Sequence, residues 1–238
     1  MQKKSFVKLI SCLALILFTS SFKVSIAQTG VIGIDILLNP NQTMLDSAKA
    51  YNALMRKNYS GPGSFSLDAV HTPHISVLQC FIKTSDLKKV IDAVDKVVKR
   101  EKPERETLTT KGFYFLPDKT MGLAGITINT TPALLTYQSK IIEAVKPYIV
   151  TGNDSAFVQN PNGRPLVKGL TEYVNAFIPD HSGAKYLPHV TIGLAQATYL
   201  KDLMAKPYNS FNFKVSSASI YHLGDYGTAQ KRLWTSSK

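Results

Sequence analysis

Cysteine is nearly missing from this sequence, and that excludes a fold stapled by disulfides. Cys12 and Cys80 are the two thiols in 238 residues, and Cys12 falls in an N-terminal stretch that reads as removable. A chain this poor in cross-links must rely on a packed core, which its length allows. Long apolar runs are lacking too. The greasiest stretch, Leu9 to Phe18, spans ten residues, whereas a bilayer-spanning helix needs roughly 20. Low-complexity tracts are absent. Acidic residues are few, with 16 Asp and Glu against 28 Lys and Arg, giving a formal net charge of +12. A positive field concentrates anions near the surface, although basic character also serves solubility alone.

The N-terminus has its own pattern. Lys3, Lys4 and Lys8 precede the apolar run, and a polar patch ends in Ser25-Ile26-Ala27. A basic start, a short apolar middle and small residues at −3 and −1 of a cut describe a secretory signal peptide over residues 1–27. The protein is therefore expected to be exported, periplasmic or secreted, with no stable membrane insertion after cleavage. Removal leaves 211 residues and a formal charge of +8, because Lys3, Lys4, Lys8 and Lys23 leave with the signal. Cys80 then stays as a lone thiol in an apolar run, where it reads as a packing residue.

From residue 28 onward the chain alternates strand-like and helix-like segments. Val31 to Leu38 is β-rich, and a helix follows to about Lys57, capped by Asn41 or Thr43. His74 to Ile82 reads as a strand. After Ser85, Leu87, Val90, Ile91, Val94, Val97 and Val98 recur at helical spacing. Glu106–Phe115 and Met121–Asn129 form two strands around a turn at Pro117-Asp118-Lys119. Thr131-Pro132 opens a helix with a cap and then Pro at the first helical position. Thr151 to Arg164 is an Asn/Gly/Pro-rich loop, and Leu166 to Pro179 is ambiguous. His189–Ala195 is a strand, Thr198–Ala205 a short helix and Phe211–Leu223 a strand. A last strand ends near Trp234. Short turns between some strands favour α+β with largely antiparallel sheets over a doubly wound parallel sheet.

One local pattern occurs twice. Pro73-His74-Ile75-Ser76-Val77 and Pro188-His189-Val190-Thr191-Ile192 agree as P-H-aliphatic-hydroxyl-aliphatic, 115 residues apart. On a strand, His74 and Ser76 share one face while Ile75 and Val77 share the other, and the second copy behaves alike. Each copy buries its aliphatics and presents an imidazole beside a hydroxyl. Brought together by pseudo-twofold symmetry, the two copies can take a proton, give a proton and hold two phosphoryl oxygens.

The doubled H-x-[ST]-aliphatic motif resembles the two-histidine (2H) phosphoesterase superfamily, which includes bacterial 2′-5′ RNA ligase-like proteins and 2′,3′-cyclic phosphodiesterases. The resemblance implies a bilobal α+β fold: two largely antiparallel sheets with flanking helices around a central cleft. It implies metal-free hydrolysis of a cyclic nucleotide phosphodiester or a 2′-5′ linkage, without cofactor, with His74 and His189 catalytic and Ser76 and Thr191 on the phosphate. The partner is then a nucleotide or short RNA, with no obligate protein partner. The sequence does not say which histidine is the acid.

Two other classes compete. A non-catalytic binder could hold a phosphorylated ligand in the same cleft, and a cell-envelope protein could carry the two strands by coincidence. His71 and His74 form H-x-x-H, yet residues three apart on a strand face different ways and no ligand set accompanies them. His181 and His222 read as surface or packing residues. Among the aromatics, Phe113, Tyr114 and Phe115 precede a turn, and Tyr221 is the best single candidate for a substrate contact. Lys111, Arg164 and Lys185 are candidates for phosphate.

Overall fold

The computed structural model describes residues 30–69, 71–118 and 120–237; the expected signal peptide lies outside them. The chain runs β1 (Val31–Pro40), α1 (Gln42–Asn58), β2 (Ile75–Lys83), α2 (Leu87–Glu101), β3 (Thr107–Asp118), β4 (Met121–Ile128), α3 (Pro132–Val145) and β5 (Ile149–Val150). Then come α4 (Leu170–Asn175), α5 (Phe177–His181), β6 (His189–Gln196), α6 (Ala197–Met204), β7 (Asn212–Leu223) and β8 (Ala229–Thr235). The ambiguous stretch after Leu166 thus holds two short helices.

The architecture is α+β, with antiparallel strands in the order β5-β2-β1-β7-β3-β4-β6, and with β8 also pairing β7. Two three-stranded halves lie within that order. β2-β1-β7 forms one lobe and β6-β4-β3 the other, and residues Thr107–Thr109 of β3 pair with Asn212–Lys214 of β7 to join them. The connectivity repeats as strand, helix, histidine strand, helix, strand: β1-α1-β2-α2-β3, then β4-α3-β6-α6-β7. In each repeat the last strand crosses over. β3 completes the lobe of the second repeat, and β7 completes that of the first.

Helices cross over as well. α1 leaves β1 and packs on β6, while α3 leaves β4 and packs on β2 beside α2. Met44, Ala48, Asn52 and Met55 form the buried stripe of α1 at helical spacing. Val90, Val94, Val97 and Val98 do the same for α2. α3 starts as its sequence predicts, with Thr131 accepting a hydrogen bond from the Leu134 N–H at 3.1 Å and Pro132 following. Cys80 is buried in the core, and burial together with the Asp35 charge pushes its thiol up, so it stays protonated and inert.

Candidate active site

Both histidine strands carry a β-bulge at the same place. On β2, Leu37 partners Ser76 and Ile36 partners Leu78, so Val77 is the extra residue. On β6, Gly125 partners Thr191 and Ala124 partners Gly193, so Ile192 is the extra residue. Val77 and Ile192 are both fully buried. A bulge bends its strand and takes one residue out of the ladder, leaving a backbone group in need of another partner. Buried amides supply it. Asn52 of α1 donates to the Ile192 carbonyl at 2.9 Å, and Gln138 of α3 donates to the Val77 carbonyl at 3.1 Å.

Each amide also pins the segment that leads to the opposite histidine. Asn52 donates to the Phe65 carbonyl and accepts from the Leu67 N–H, ahead of His74. Gln138 donates to the His181 carbonyl and accepts from the Gly183 N–H, ahead of His189. One side chain thus couples a bulge on one strand to the approach to the other.

These devices bring His74, Ser76, His189 and Thr191 onto the lining of a single cleft of about 630 Å³. Ile75, Val77, Val190 and Ile192 are buried behind them, following the expected alternation. Burying an aliphatic side chain of this size contributes roughly 1.5–3 kcal/mol, so the motif's apolar half holds what its polar half presents. The imidazoles are near enough that the charge of His74 lowers the proton affinity of His189.

The surroundings of the two rings differ. The Nδ1 of His74 lies 2.6 Å from the Thr72 carbonyl, and its Nε2 lies 3.3 Å from Asp35 Oδ2. Asp35 has no exposed surface, and the same oxygen accepts from the Ser76 hydroxyl at 2.6 Å and the Gln79 amide at 3.0 Å. Burial alone would lower the pKa of His74, but the hydrogen bond and charge of Asp35, with the Thr72 carbonyl, raise it overall. His189 has the Leu187 carbonyl 2.8 Å from Nδ1 and the ring of Tyr114 edge-on at 4.7 Å. Burial is the main cause that pushes His189 down to about 4, with the charges of His74 and His181 acting in the same direction. Tyr114 can lie there because its partner position, Gly125, has no side chain; a Cβ would meet the ring at 2.5 Å.

Other expectations fare unevenly. Tyr221 is not on the cleft lining. It pairs with Asp35 and shares its face, but it is buried against Leu37 and Ala229. Phe113 packs on Tyr51 and Tyr208, Phe115 joins the core, and Tyr114 alone of the three lines the cleft. Arg164 is bound to Asp225 at 2.8 Å, and neither Arg164 nor Lys111 lines the cleft. Lys185 does line it, while bonded to Asp180 and the Pro179 carbonyl. His71 stacks on Phe65 and faces Asp68. His222 bonds the Ala156 carbonyl, whereas His181, read as surface or packing, ends α5 on the cleft beside Tyr173. No group of three or more residues suited to hold a metal occurs among the described residues.

Asp35, Gln79, Asn52 and Gln138 escaped the sequence reading. Three of them left a trace: Asp35 is the lone charge in an apolar strand, and Asn52 and Gln138 are amides on apolar helix faces.

No family model matches the chain, and no curated protein matches it. Among solved structures it is similar to TT0787 of Thermus thermophilus, with a TM-score of 0.48, 11% identity, and 87% of this chain and 97% of that one covered. It is also similar to Usb1 of Kluyveromyces marxianus with uridine monophosphate, with a TM-score of 0.40, 11% identity, and 86% and 98% covered. Likeness at this level decides nothing about chemistry.

Proposed function

We propose that the protein is a phosphodiesterase of the two-histidine type, which hydrolyses a cyclic nucleotide phosphodiester or a 2′-5′ linkage without metal or cofactor. The observation that carries this reading is the cleft itself: two imidazoles from matched, bulged strands, each with a hydroxyl two residues on, line one opening. Imidazole suits the task because its ordinary pKa, about 6.5, lets it act as acid or base near neutrality. One ring takes the proton of an attacking water while the other protonates the departing ribose oxygen. Each transfer contributes about 10²–10⁴-fold. Hydrogen bonds to the non-bridging oxygens stabilise charge that shifts during the reaction.

The aromatic walls around the pair, including Tyr114, Tyr173 and Phe65, support a substrate with a base. Stacking on aromatic side chains contributes roughly 1–3 kcal/mol per base. The N-terminal pattern supports export, with scavenging or defence outside the inner membrane. Among the described residues no helix is long and apolar enough to cross a membrane.

The purified protein is tested on nucleoside 2′,3′-cyclic phosphates and on 2′-5′ dinucleotides in the presence of a chelator. Turnover that persists under chelation is expected. Saturable binding of these compounds without product would instead make the cleft a binding site.

A further inference from the structure

Behind the cleft wall lies a buried ionisable group that the histidine motif does not include. β1 places Asp35 beside the β2 motif, fully buried, with one oxygen shared among His74, Ser76 and Gln79. Its other oxygen, Oδ1, is buried with no hydrogen-bond partner among the described residues. Burying a carboxylate oxygen unpaired is costly. The matching lobe avoids that cost: the strand register puts Leu123 and Leu194 where Asp35 and Gln79 stand. A charge kept in one lobe and replaced by leucine in its counterpart marks a difference of role.

Donor and acceptor capacities define that role. A carbonyl and a carboxylate can only accept hydrogen bonds. His74 faces the Thr72 carbonyl with Nδ1 and the Asp35 carboxylate with Nε2, so both ring nitrogens are placed to donate, which is the imidazolium form. His189 faces the Leu187 carbonyl with Nδ1 and the edge of the Tyr114 ring, with leucine where the other lobe carries its carboxylate, so Nδ1 keeps the proton and Nε2 keeps a lone pair. The Ser76 hydroxyl donates to Asp35, so it braces the carboxylate rather than reaching for phosphate. That leaves Thr191 as the hydroxyl of the pair that can meet a phosphoryl oxygen.

We propose that Asp35 is a positioning residue that keeps His74 protonated, making His74 the general acid and His189 the general base of the reaction. This rests on the phosphodiesterase reading above. His189 accepts a proton from water as its oxygen bonds to phosphorus. The bond from phosphorus to the ribose oxygen breaks, and His74 delivers its Nε2 proton to that oxygen, giving up the long 3.3 Å contact with Asp35 while Nδ1 keeps its proton on the Thr72 carbonyl. The products are the ribose hydroxyl and a phosphomonoester, and the two rings exchange protons with solvent to reset.

The raised proton affinity of His74 and the depressed one of His189 agree with this direction. The other groups that face the pair are consistent with it. Tyr173 and Tyr186 both feel the Asp35 charge and are held protonated, hence neutral. His181 is lowered by burial, and it adds to the depression of His189 when charged. His71 also lines the cleft but is engaged with Asp68.

Two measurements on the full chain test the proposal. The first needs no substrate: the histidine ring nitrogens are titrated by NMR in the wild type and in Asp35→Asn. The His74 titration is expected to fall by about one unit or more, a tenfold loss of proton affinity, with that of His189 moving far less. If Asp35→Asn does not fold, Ser76→Ala replaces it. Removing a competing donor leaves the carboxylate more fully to His74 and moves its titration up. A His74 titration that either folded variant leaves in place overturns the proposal.

The second measurement compares a ribose leaving group with p-nitrophenolate, which departs without a proton. Asp35→Asn and His74→Ala are expected to lose about 100-fold or more on the ribose ester and less than about 10-fold on the nitrophenyl ester. His189→Ala loses equally on both. Rescue of His189→Ala instead of His74→Ala would reverse the assignment. A wild-type protein inert toward every phosphodiester sinks the phosphodiesterase reading, while the substrate-free titration still decides whether Asp35 holds the proton on His74.

Discussion

The two lobes share a backbone design and differ in what they place around their imidazoles. In each, the histidine strand bulges at the residue after its hydroxyl, and a helix from the other repeat covers it. The lobe of His74 sets a carboxylate against its ring, and an amide and a hydroxyl donate to that carboxylate. The lobe of His189 has leucine at the positions matching Asp35 and Gln79, and the edge of a tyrosine against the ring. A twofold frame can thus place two chemically equal groups while their neighbours make them unequal. Separated proton affinities are what acid–base catalysis by two like groups requires.

The largest expected effect comes from removing either ring. His74→Ala and His189→Ala should each lower turnover of a ribose-linked phosphodiester by about 10²–10⁴-fold. In the wild type the base must be deprotonated, so the rate rises with pH through the His189 value of about 4. The acid must be protonated, so the rate falls again as pH climbs through the His74 value, which lies above its ordinary one. A pH–rate profile with a single limb would break the comparison.

Next come the amides that hold the two frames alike. Asn52→Ala and Gln138→Ala each strip a buried bulge carbonyl of its partner, and each should cost about 1–3 kcal/mol in urea unfolding. Equal losses would confirm that the lobes are built alike; a loss in one variant alone would mean that they are not.

A smaller change sharpens the contrast from the other side. Leu123→Asp gives the His189 lobe the carboxylate it lacks, at a half-buried position on the cleft. A nearby opposite charge favours the protonated ring, so the rising limb should move up by about one unit. The smallest effect expected is that of Tyr221→Phe. Because Tyr221 is buried away from the cleft opening, KM should stay within about twofold of wild type. A tenfold rise in KM would restore it to the substrate's surroundings.

The strands, the principal helices and the repeated motif were legible in the chain because alternation and helical spacing are local signals. The cap at Thr131 and the alternation at His74 and His189 could be read for the same reason. What stayed hidden depends on contacts across long separations. The bulges at Val77 and Ile192 look like ordinary strand, and Asn52 looks like a polar residue on a helix until its carbonyl partner 140 residues away is known. Tyr221 shares the face of Asp35 and is buried, because the face a residue takes is a local signal and what packs over it is not. Asp35 could have been suspected, since a carboxylate within Val31–Pro40 has few reasons to be buried among isoleucine and leucine.

The strand exchange between repeats also bears on how the chain comes together. The strand that pairs with the free side of β1 in the lobe of His74 is β7, the last strand of the second repeat. During synthesis the first repeat therefore waits with an unpaired edge on β1 until nearly all of the second has emerged. Long-range pairing of this kind is slow and leaves sticky intermediates. A chain truncated before β7 would leave the lobe of His74 without its third strand while the strands of the other lobe are all present, and two separately made repeats would recover function only by finding each other.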